Sequence, residues 1–212
     1  MKEHQINMKI VTICICMALL VSCTSEPLNV RYYLLHTPEN KISNTALETK
    51  LNKAKSIVVL QLLNVADYLH QASLVMQINQ HELHYSRQDV WAEKLQSSFY
   101  KALLQDLNTT GKRDYVASSS PNAIYAATGI TVKLEHFHAT DASTVVSSGR
   151  YWLSENGPRT HKNKELAKSS HAFFFESPLK LDGYAHSVEQ LRTLVASLAK
   201  QIEKDIAALP NN

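Results

Sequence analysis

Two histidines flank a glutamate and a leucine in the stretch His81-Glu82-Leu83-His84. The zinc-protease motif H-E-x-x-H places its two imidazoles four residues apart, on one face of a helix. Here the histidines are three residues apart, in a stretch whose composition predicts a strand. Residues at that spacing on a strand point to opposite faces. The pattern therefore does not predict a zinc site.

His136 and His138 are better placed to act together, because residues i and i+2 share one face of a strand. A protein zinc site takes three or four protein ligands, and no third ligand is apparent beside these two in the sequence. We therefore interpret both as ordinary surface histidines. We predict no metal and no cofactor for this chain.

Local sequence patterns give little support for catalysis. The chain has no G-x-S-x-G nucleophile elbow. Thr110-Gly111-Lys112 lacks the phosphate-cradling glycine of a P-loop. The serine run 118–120 has no general base close to it in the sequence. We therefore predict no catalytic residue and no enzymatic activity.

The residue with the clearest chemical role is Cys23, which stands where an apolar run meets polar residues. The run, Ile10 to Val21, follows Lys9 and is shorter than the roughly 20 residues that a membrane-spanning helix needs. Its length and preceding charge are typical of a secretory signal. The stretch Leu20-Val21-Ser22-Cys23 resembles the lipobox of bacterial lipoproteins, in which the cysteine thiol takes a diacylglyceryl group. We therefore predict that Cys23 is lipidated.

The lipobox predicts three parts of the chain. Residues 1–22 form a lipoprotein signal peptide that is removed, residues 23–29 a lipidated tether, and residues 30–212 the folded domain. Either Met1 or Met8 fits the start of such a signal.

The residue after the cysteine bears on the location of the protein. In enteric bacteria an aspartate at that place retains lipoproteins in the inner membrane, and this chain has Thr24 instead. We therefore expect a lipid anchor in the outer membrane rather than the inner membrane, with the domain on the periplasmic face.

The charge and cysteine content exclude two classes of protein. The chain has 22 Lys and Arg against 19 Asp and Glu, a formal net charge of +3. Nucleic-acid binding requires clustered basic residues, so we predict no nucleic-acid partner. Cys14 and Cys16 would leave with the signal, and the lipidated cysteine would then be the only one. The mature protein would have no disulfide.

Apolar runs and alternating stretches predict a sheet. Ser56 to Leu63 is a mostly apolar run, typical of a central strand buried on both faces. Residues 74–78 and 82–85 predict one hairpin. Residues 128–138 and 144–154 predict a second, antiparallel hairpin with one exposed face. Further short strands are expected at residues 30–36 and 115–118, and residues 173–175 open a short apolar segment that Pro178 ends.

Two stretches have helical periodicity. Val90 to Leu107 repeats apolar residues at three- and four-residue steps, with Asp89 as the expected N-cap. Val188 to Leu209 has a heptad-like apolar seam, preceded by a capping box of Ser187 and Gln190. That seam fits packing on the sheet or a helix contact between subunits. Together the elements predict one α/β domain, a mixed sheet with both helices packed on it and a long C-terminal helix.

Four segments carry a shared pattern: Val30-Arg-Tyr-Tyr-Leu-Leu, Val65-Ala-Asp-Tyr-Leu, Val90-Trp-Ala-Glu-Lys-Leu, and Gly183-Tyr184 with residues 199–209. Together with the lipobox, they resemble the PqiC-like auxiliary lipoproteins of ABC-type transport systems over most of the mature chain. The family commonly has Arg before the Trp and Pro after the Glu, where this chain has Val90 and Lys94.

The resemblance implies a non-enzymatic auxiliary role in moving lipids between the inner and outer membranes. The implied partners are an MCE-domain protein that spans the periplasm and a permease-like inner-membrane protein. It also implies a homo-oligomeric ring. The motif positions are Tyr68, Leu69, Trp91 and Glu93, for which both core packing and a partner contact are open.

The alternative function is that of an envelope lipoprotein that binds a small ligand or hydrolyses one. It requires a concave site where polar groups converge. Its candidate residues are His136, His138, Asp141, Ser118, Ser119 and Ser120.

Overall fold

The computed structural model describes residues 29–37, 56–109, 112–155 and 170–209. The predicted signal peptide, Cys23 and the tether up to residue 28 lie outside the described residues, so those assignments stay predictions.

The described residues form eight strands and two long helices. The strands are β1 (Arg31–Tyr33), β2 (Ile57–Val65), β3 (Ser73–Asn79), β4 (Glu82–Trp91), β5 (Asp114–Ala117), β6 (Thr128–Thr140), β7 (Thr144–Glu155) and β8 (Ser170–Pro178). The helices are α1 (Leu95–Thr109) and α2 (Tyr184–Ala207). Two short 3-10 helices cover Asp67–His70 and Pro121–Tyr125.

The longest strand, β6, organises the sheet. One edge of β6 pairs antiparallel with β7, which in turn pairs antiparallel with β8. Along its other edge, the first part pairs parallel with β2, and Ala139 and Thr140 pair parallel with β3. Two arms diverge from this edge, one made of β2 and β5 and the other of β3, β4 and β1. The mixed sheet predicted from the sequence is confirmed.

The irregular pairing of β6 and β7 requires a glycine. The register shifts between Leu134 and His136, and Leu134 pairs with Gly149. A Cβ atom at Gly149 would lie 2.0 Å from the carbonyl oxygen of Lys133, far inside van der Waals contact. Only glycine allows the backbones to approach this closely.

Both helices cover the same face of the sheet. Ile130, Val132 and Leu134 alternate along β6 and are fully buried in the core that α1 and α2 complete. Lys133, between them, is exposed on the opposite face. The predicted alternation and the single α/β domain are thus confirmed. Burial of an aliphatic side chain contributes roughly 1.5–3 kcal/mol, so this layer is the main stabilising element.

The first helix begins later than its apolar periodicity predicts. Val90 and Trp91 continue β4, and α1 starts at Leu95. The assignment of Asp89 as an N-cap is therefore wrong. β1 pairs in parallel with residues 89–91, and this partner lies too far away in sequence for local periodicity to reveal it.

The second helix begins earlier than predicted. Gly183, with φ of 102°, precedes it, and Ser187 lies inside the first turn. The Ser187 hydroxyl donates to the carbonyl of Gly183 (3.2 Å), and the side chain of Gln190 accepts from Ser177 (2.9 Å). The predicted capping box is therefore wrong. The apolar seam of the helix packs on the sheet, as one of the two interpretations expects.

Polar pairs also fasten α2 to the rest of the domain. Glu203 is buried and accepts hydrogen bonds from Arg113 (2.6 Å) and from the Tyr115 hydroxyl. Arg192 pairs with Asp106 on α1. A buried carboxylate needs such donors, because its desolvation is otherwise unfavourable by several kcal/mol. The position of α2 along the sheet is therefore specified by charge as well as by apolar packing.

Candidate functional site

The first strand after the predicted tether joins the sheet at a buried carboxylate. Asp89 is 3% exposed and accepts hydrogen bonds from Arg31 Nε (2.8 Å), Tyr33 Oη (3.0 Å) and Ser86 Oγ (3.0 Å). Burial, together with the adjacent carboxylate of Asp89, raises the pKa of Tyr33, so this hydroxyl stays protonated and donates. Hydrogen bonds to an ionised acceptor are stronger than neutral ones.

The chain after β1 is fixed to the start of α1. Ala92 N donates to the carbonyl of Tyr33 (2.8 Å), and Leu35 N donates to Ser98 Oγ (3.0 Å). Beyond it, His36 lies 3.3 Å from Glu93. We call this set, residues 31–36 with Asp89, Glu93 and Ser98, the N-terminal clamp. It holds the part of the domain that is nearest to Cys23 in sequence.

Trp91 and Glu93 have different surroundings. Trp91 is 6% exposed, and its ring centroid lies 6.3 Å from that of Phe137 in the core. Glu93 is partly exposed and pairs with Lys101 (2.6 Å), and its side chain lies 3.3 Å from that of His36. Trp91 therefore packs the core beneath the N-terminal clamp, while Glu93 belongs to the clamp itself. A partner contact at these positions stays a prediction.

Tyr68 and Leu69 lie in the 3-10 helix between β2 and β3. Leu69 is 2% exposed and belongs to the core. The Tyr68 hydroxyl donates to the carbonyl of Glu135 (3.0 Å), beside the irregular pairing of β6, and burial raises the pKa of this tyrosine. Its ring lies 6.0 Å from His138. Tyr68 and Trp91 thus contact successive residues of β6, His138 and Phe137, rather than meeting in one site.

The two histidines of β6 lie in different environments. His136 is exposed, as predicted, and its Nδ1 lies 2.8 Å from Ser148 Oγ. His138 is 2% exposed, so its interpretation as a surface histidine is wrong. Burial lowers its pKa and favours the neutral imidazole. A serine–histidine pair is one part of a nucleophilic site, but in the described residues no carboxylate pairs with either histidine to orient it.

The remaining candidates are dispersed over the molecule. Asp141 lies in the turn between β6 and β7, and Ser118 to Ser120 follow β5, where Ser120 Oγ accepts from the backbone of Asn122 (3.3 Å). His81 and His84 lie in the β3–β4 hairpin. In the portion of the chain that the structure describes, no three His, Cys, Asp or Glu side chains form a group able to hold a metal ion.

Sequence reasoning missed the group of hydrogen-bond donors that surrounds the Asp89 carboxylate in the N-terminal clamp. Tyr33 and Asp89 are 56 residues apart, so no local pattern connects them. The spacing of Ser86 and Asp89 gave one usable signal, because a serine three residues before an aspartate can bind it locally. The position of Arg31 gave no such signal.

Neither helix within residues 29–37, 56–109, 112–155 and 170–209 has both the length and the hydropathy of a membrane span. The model of the family described as the ABC-type transport auxiliary lipoprotein component matches residues 33–203. The chain belongs to this family. The match confirms the resemblance seen in the four sequence segments.

Named relatives agree with this assignment. The chain is 24% identical over 191 residues to the intermembrane transport lipoprotein PqiC of Escherichia coli (strain K12), covering 90% of this chain and 94% of that protein. PqiC of Shigella flexneri gives the same values.

Solved structures share the fold. A crystal structure of an uncharacterized protein has a TM-score of 0.65 at 20% identity, covering 84% of this chain and 99% of the other. A protein from Xanthomonas campestris has a TM-score of 0.56 at 10% identity, covering 71% and 82% of the two chains. At these identities the likeness extends to the fold alone.

Proposed function

We propose that this chain is an outer-membrane-anchored periplasmic lipoprotein and a non-enzymatic auxiliary component of an MCE/ABC-type intermembrane lipid transport system. Membership of the auxiliary lipoprotein family carries the proposal. The relatives named intermembrane transport lipoproteins support the transport role. The dispersal of the described acid, base and nucleophile candidates supports a role without catalysis.

The proposed anchor is Cys23, followed by a short tether to the N-terminal clamp. Arg31 lies eight residue steps after Cys23, a span of at most about 26–29 Å when fully extended. One acyl chain gives only marginal membrane binding, whereas two or three chains give stable attachment. The N-terminal clamp then holds the domain close to the membrane, since its buried carboxylate fixes the first strand after the tether.

The proposed partners are an MCE-domain protein that spans the periplasm and its permease-like inner-membrane protein. A lipoprotein held at the outer membrane by a short tether is placed to receive the far end of such a conduit. Glu93 and Tyr68 are proposed as residues near the contact, because both belong to family motifs and neither is fully buried.

The proposed assembly is a ring of copies of this chain. β1 and β5 end the two arms of the sheet and expose unlike apolar patches. One patch consists of Val30, Tyr32 and Leu34, in and next to β1. The other consists of Ile124 and Tyr125, in the 3-10 helix next to β5. Tyr32 and Tyr125 are each 70% exposed. A contact between two different patches is head-to-tail, and such contacts form a ring when the rotation closes.

The anchor is tested by replacing Cys23 with serine in the full chain. We expect metabolic palmitate to label the wild type but not Cys23→Ser, and the variant to leave the outer-membrane fraction. Cys16→Ser is the matched control, because it alters a cysteine of the signal and should keep the label. Retention of Cys23→Ser through salt and carbonate washes would overturn the proposed anchor.

The partners are tested by affinity purification after mild crosslinking of intact cells. We expect the wild-type lipoprotein to recover an MCE-domain protein, and Cys23→Ser to recover less of it. A strictly monomeric wild type that recovers no MCE-domain protein would contradict the transport role.

A further inference from the structure

A small cavity lies where the ends of β3 and β6 meet the loop between β8 and α2. Its volume is about 220 Å³, and all of its lining lies within the described residues. The apolar part of the lining consists of Met76, Ala139, Leu179, Leu181 and Tyr184. Leu181 is 66% exposed, so the cavity opens to the surface through an apolar rim. An exposed leucine beside a concave apolar surface is a feature of binding sites.

The size of the cavity limits what it can hold. Pockets that take drug-sized ligands are roughly 300–1,000 Å³, larger than this one. A drug-sized ligand therefore exceeds the space, whereas part of one slender aliphatic chain enters it. The thioether of Met76 and the side chains of Leu179 and Leu181 adapt to such a chain, because each has several accessible rotamers.

The carboxylates of the cavity indicate the charge of the ligand. Asp141 and Asp182 complete the rim, and the cation of the same loop, Lys180, is not part of the lining. Two carboxylates disfavour an anionic group at this rim and favour a cationic one. An aliphatic chain attached to an ammonium-bearing headgroup satisfies both the walls and the rim.

The cavity is connected to the N-terminal clamp. Tyr184 forms part of the wall, and its side chain lies near that of Ser86. Ser86 in turn donates to Asp89, the carboxylate that holds β1 (3.0 Å). The tether therefore enters the domain near this cavity, and a lipid anchor at Cys23 would hold the opening within reach of the membrane surface.

We propose that this cavity binds one acyl chain of a membrane phospholipid whose headgroup carries an ammonium group. The inference rests on the proposed function, because the lipid anchor is what keeps the cavity at the membrane. The domain would then contact a membrane lipid in addition to the acyl chains on Cys23. This contact lies at the end of the fold that the tether joins.

The test uses the full lipidated protein in vesicles that contain phosphatidylethanolamine with a photoreactive diazirine in its acyl chain. After irradiation, we expect adducts on Met76 and on residues 179–184. Leu181→Asp removes an apolar side chain from the opening and places a charge where the acyl chain enters, so it should lower this labelling by about tenfold. Ile124→Asp is the matched control, because Ile124 is 63% exposed and lies at the β5 end of the sheet; its labelling should equal that of the wild type.

A second set of vesicles carries the diazirine on phosphatidylglycerol, whose headgroup is anionic. We expect weaker labelling of the cavity than with phosphatidylethanolamine. Equal labelling of wild type and Leu181→Asp, or stronger labelling by phosphatidylglycerol, overturns the proposal. The proposal is also overturned if the cavity is labelled in Cys23→Ser but not in the wild type. In that case the protein's own acyl chain fills the cavity of the wild type.

The lipid site and the proposed transport function are rejected by different results. If the wild type is found in the outer membrane and recovers an MCE-domain protein, but the cavity takes no label, the lipid site alone is rejected. If the wild type fails both of those assays, the proposed function is rejected. Thermal unfolding of each variant, compared with the wild type, shows that the domain remains folded.

Discussion

His138 is an ionisable side chain held in its neutral form by burial. It is 2% exposed and lies beside the ring of Tyr68, and its ring centroid is 5.8 Å from that of His136. Burial is the main cause that lowers its pKa, and the nearby His136 adds to the effect. The charged imidazolium is therefore disfavoured in the folded protein relative to the unfolded chain.

This shift makes the stability of the domain depend on pH in one direction. The unfolded chain binds a proton at His138 near its ordinary pKa of about 6.5, whereas the folded protein binds it only at lower pH. Stability is therefore lost as pH falls below that value, and the loss stops growing below the folded pKa. Above about pH 6.5 the side chain is neutral in both the folded and the unfolded state, so this loss of stability is absent.

We expect His138→Gln to weaken this pH dependence. In urea unfolding between about pH 7.5 and about pH 5.5, the wild type should lose more stability than the variant. His81→Gln is the control, because His81 is exposed in the β3–β4 turn and should leave the wild-type dependence unchanged. Identical pH dependence in wild type and His138→Gln would contradict the assignment.

At the scale of elements, β1 shows how a very short strand is held in place. It has three residues, so its backbone ladder with β4 supplies few hydrogen bonds. Side-chain contacts to Asp89 on β4 supply the rest, since the Tyr33 hydroxyl donates to this carboxylate and the Arg31 guanidinium pairs with it. Each hydrogen bond to a charged group contributes roughly 1.5–3 kcal/mol when it is shielded from water.

We expect Asp89→Ala to destabilise the domain by about 2–4 kcal/mol, because Tyr33 and Ser86 lose their common acceptor. The change should also release β1, so that trypsin cleaves after Arg31 at lower protease concentration. Asp114→Ala is the matched control, because Asp114 is an exposed aspartate at the start of β5. The role of the N-terminal clamp is disproved if both variants unfold and are cleaved like the wild type.

The elements differ in how far the sequence predicted them. The β6–β7 hairpin and α2 were predicted because their periodicity extends over many residues and one face of each is buried. The start of α1 was misplaced because Trp91 and Leu95 fit a helical repeat, yet pairing with β1 keeps Trp91 in a strand. Tertiary pairing thus overrode a local pattern at the boundary between β4 and α1.

At the scale of the whole molecule, the divergence of two arms from β6 leaves unlike apolar patches at the ends of the sheet. Exposed edge strands invite pairing with another chain unless they are covered. The patches at β1 and at the 3-10 helix next to β5 are the surfaces proposed for the ring. Because the proposed contact is head-to-tail, a change in either patch alone should disrupt it.

We expect Tyr32→Asp and Tyr125→Asp each to convert the proposed oligomer, solubilised in detergent, into smaller species. Light scattering coupled to size-exclusion chromatography measures the mass of each. Phe174→Asp is the control, because Phe174 is also exposed (66%) but lies on β8, outside both patches. An oligomer that survives both tyrosine changes, or that only Phe174→Asp disrupts, would rule out these surfaces.

Local sequence patterns were sufficient to predict the class of the fold and the family of the chain. Strand alternation in residues 128–138, helical periodicity in residues 188–209 and the four family segments are local signals, and each persists in a single stretch of chain. The predicted lipidation of Cys23 has the same local basis. These features depend on neighbours in sequence, so they are visible before folding.

The burial of polar residues and the position of the concave surface depend on how distant segments pack together. Asp89 became the centre of the N-terminal clamp because β1 comes to β4 from more than fifty residues away. His138 became buried beside Tyr68, and the cavity at Tyr184 formed where residues of two strands meet the start of α2. Burial and concavity arise from contacts between distant segments, which no local pattern encodes.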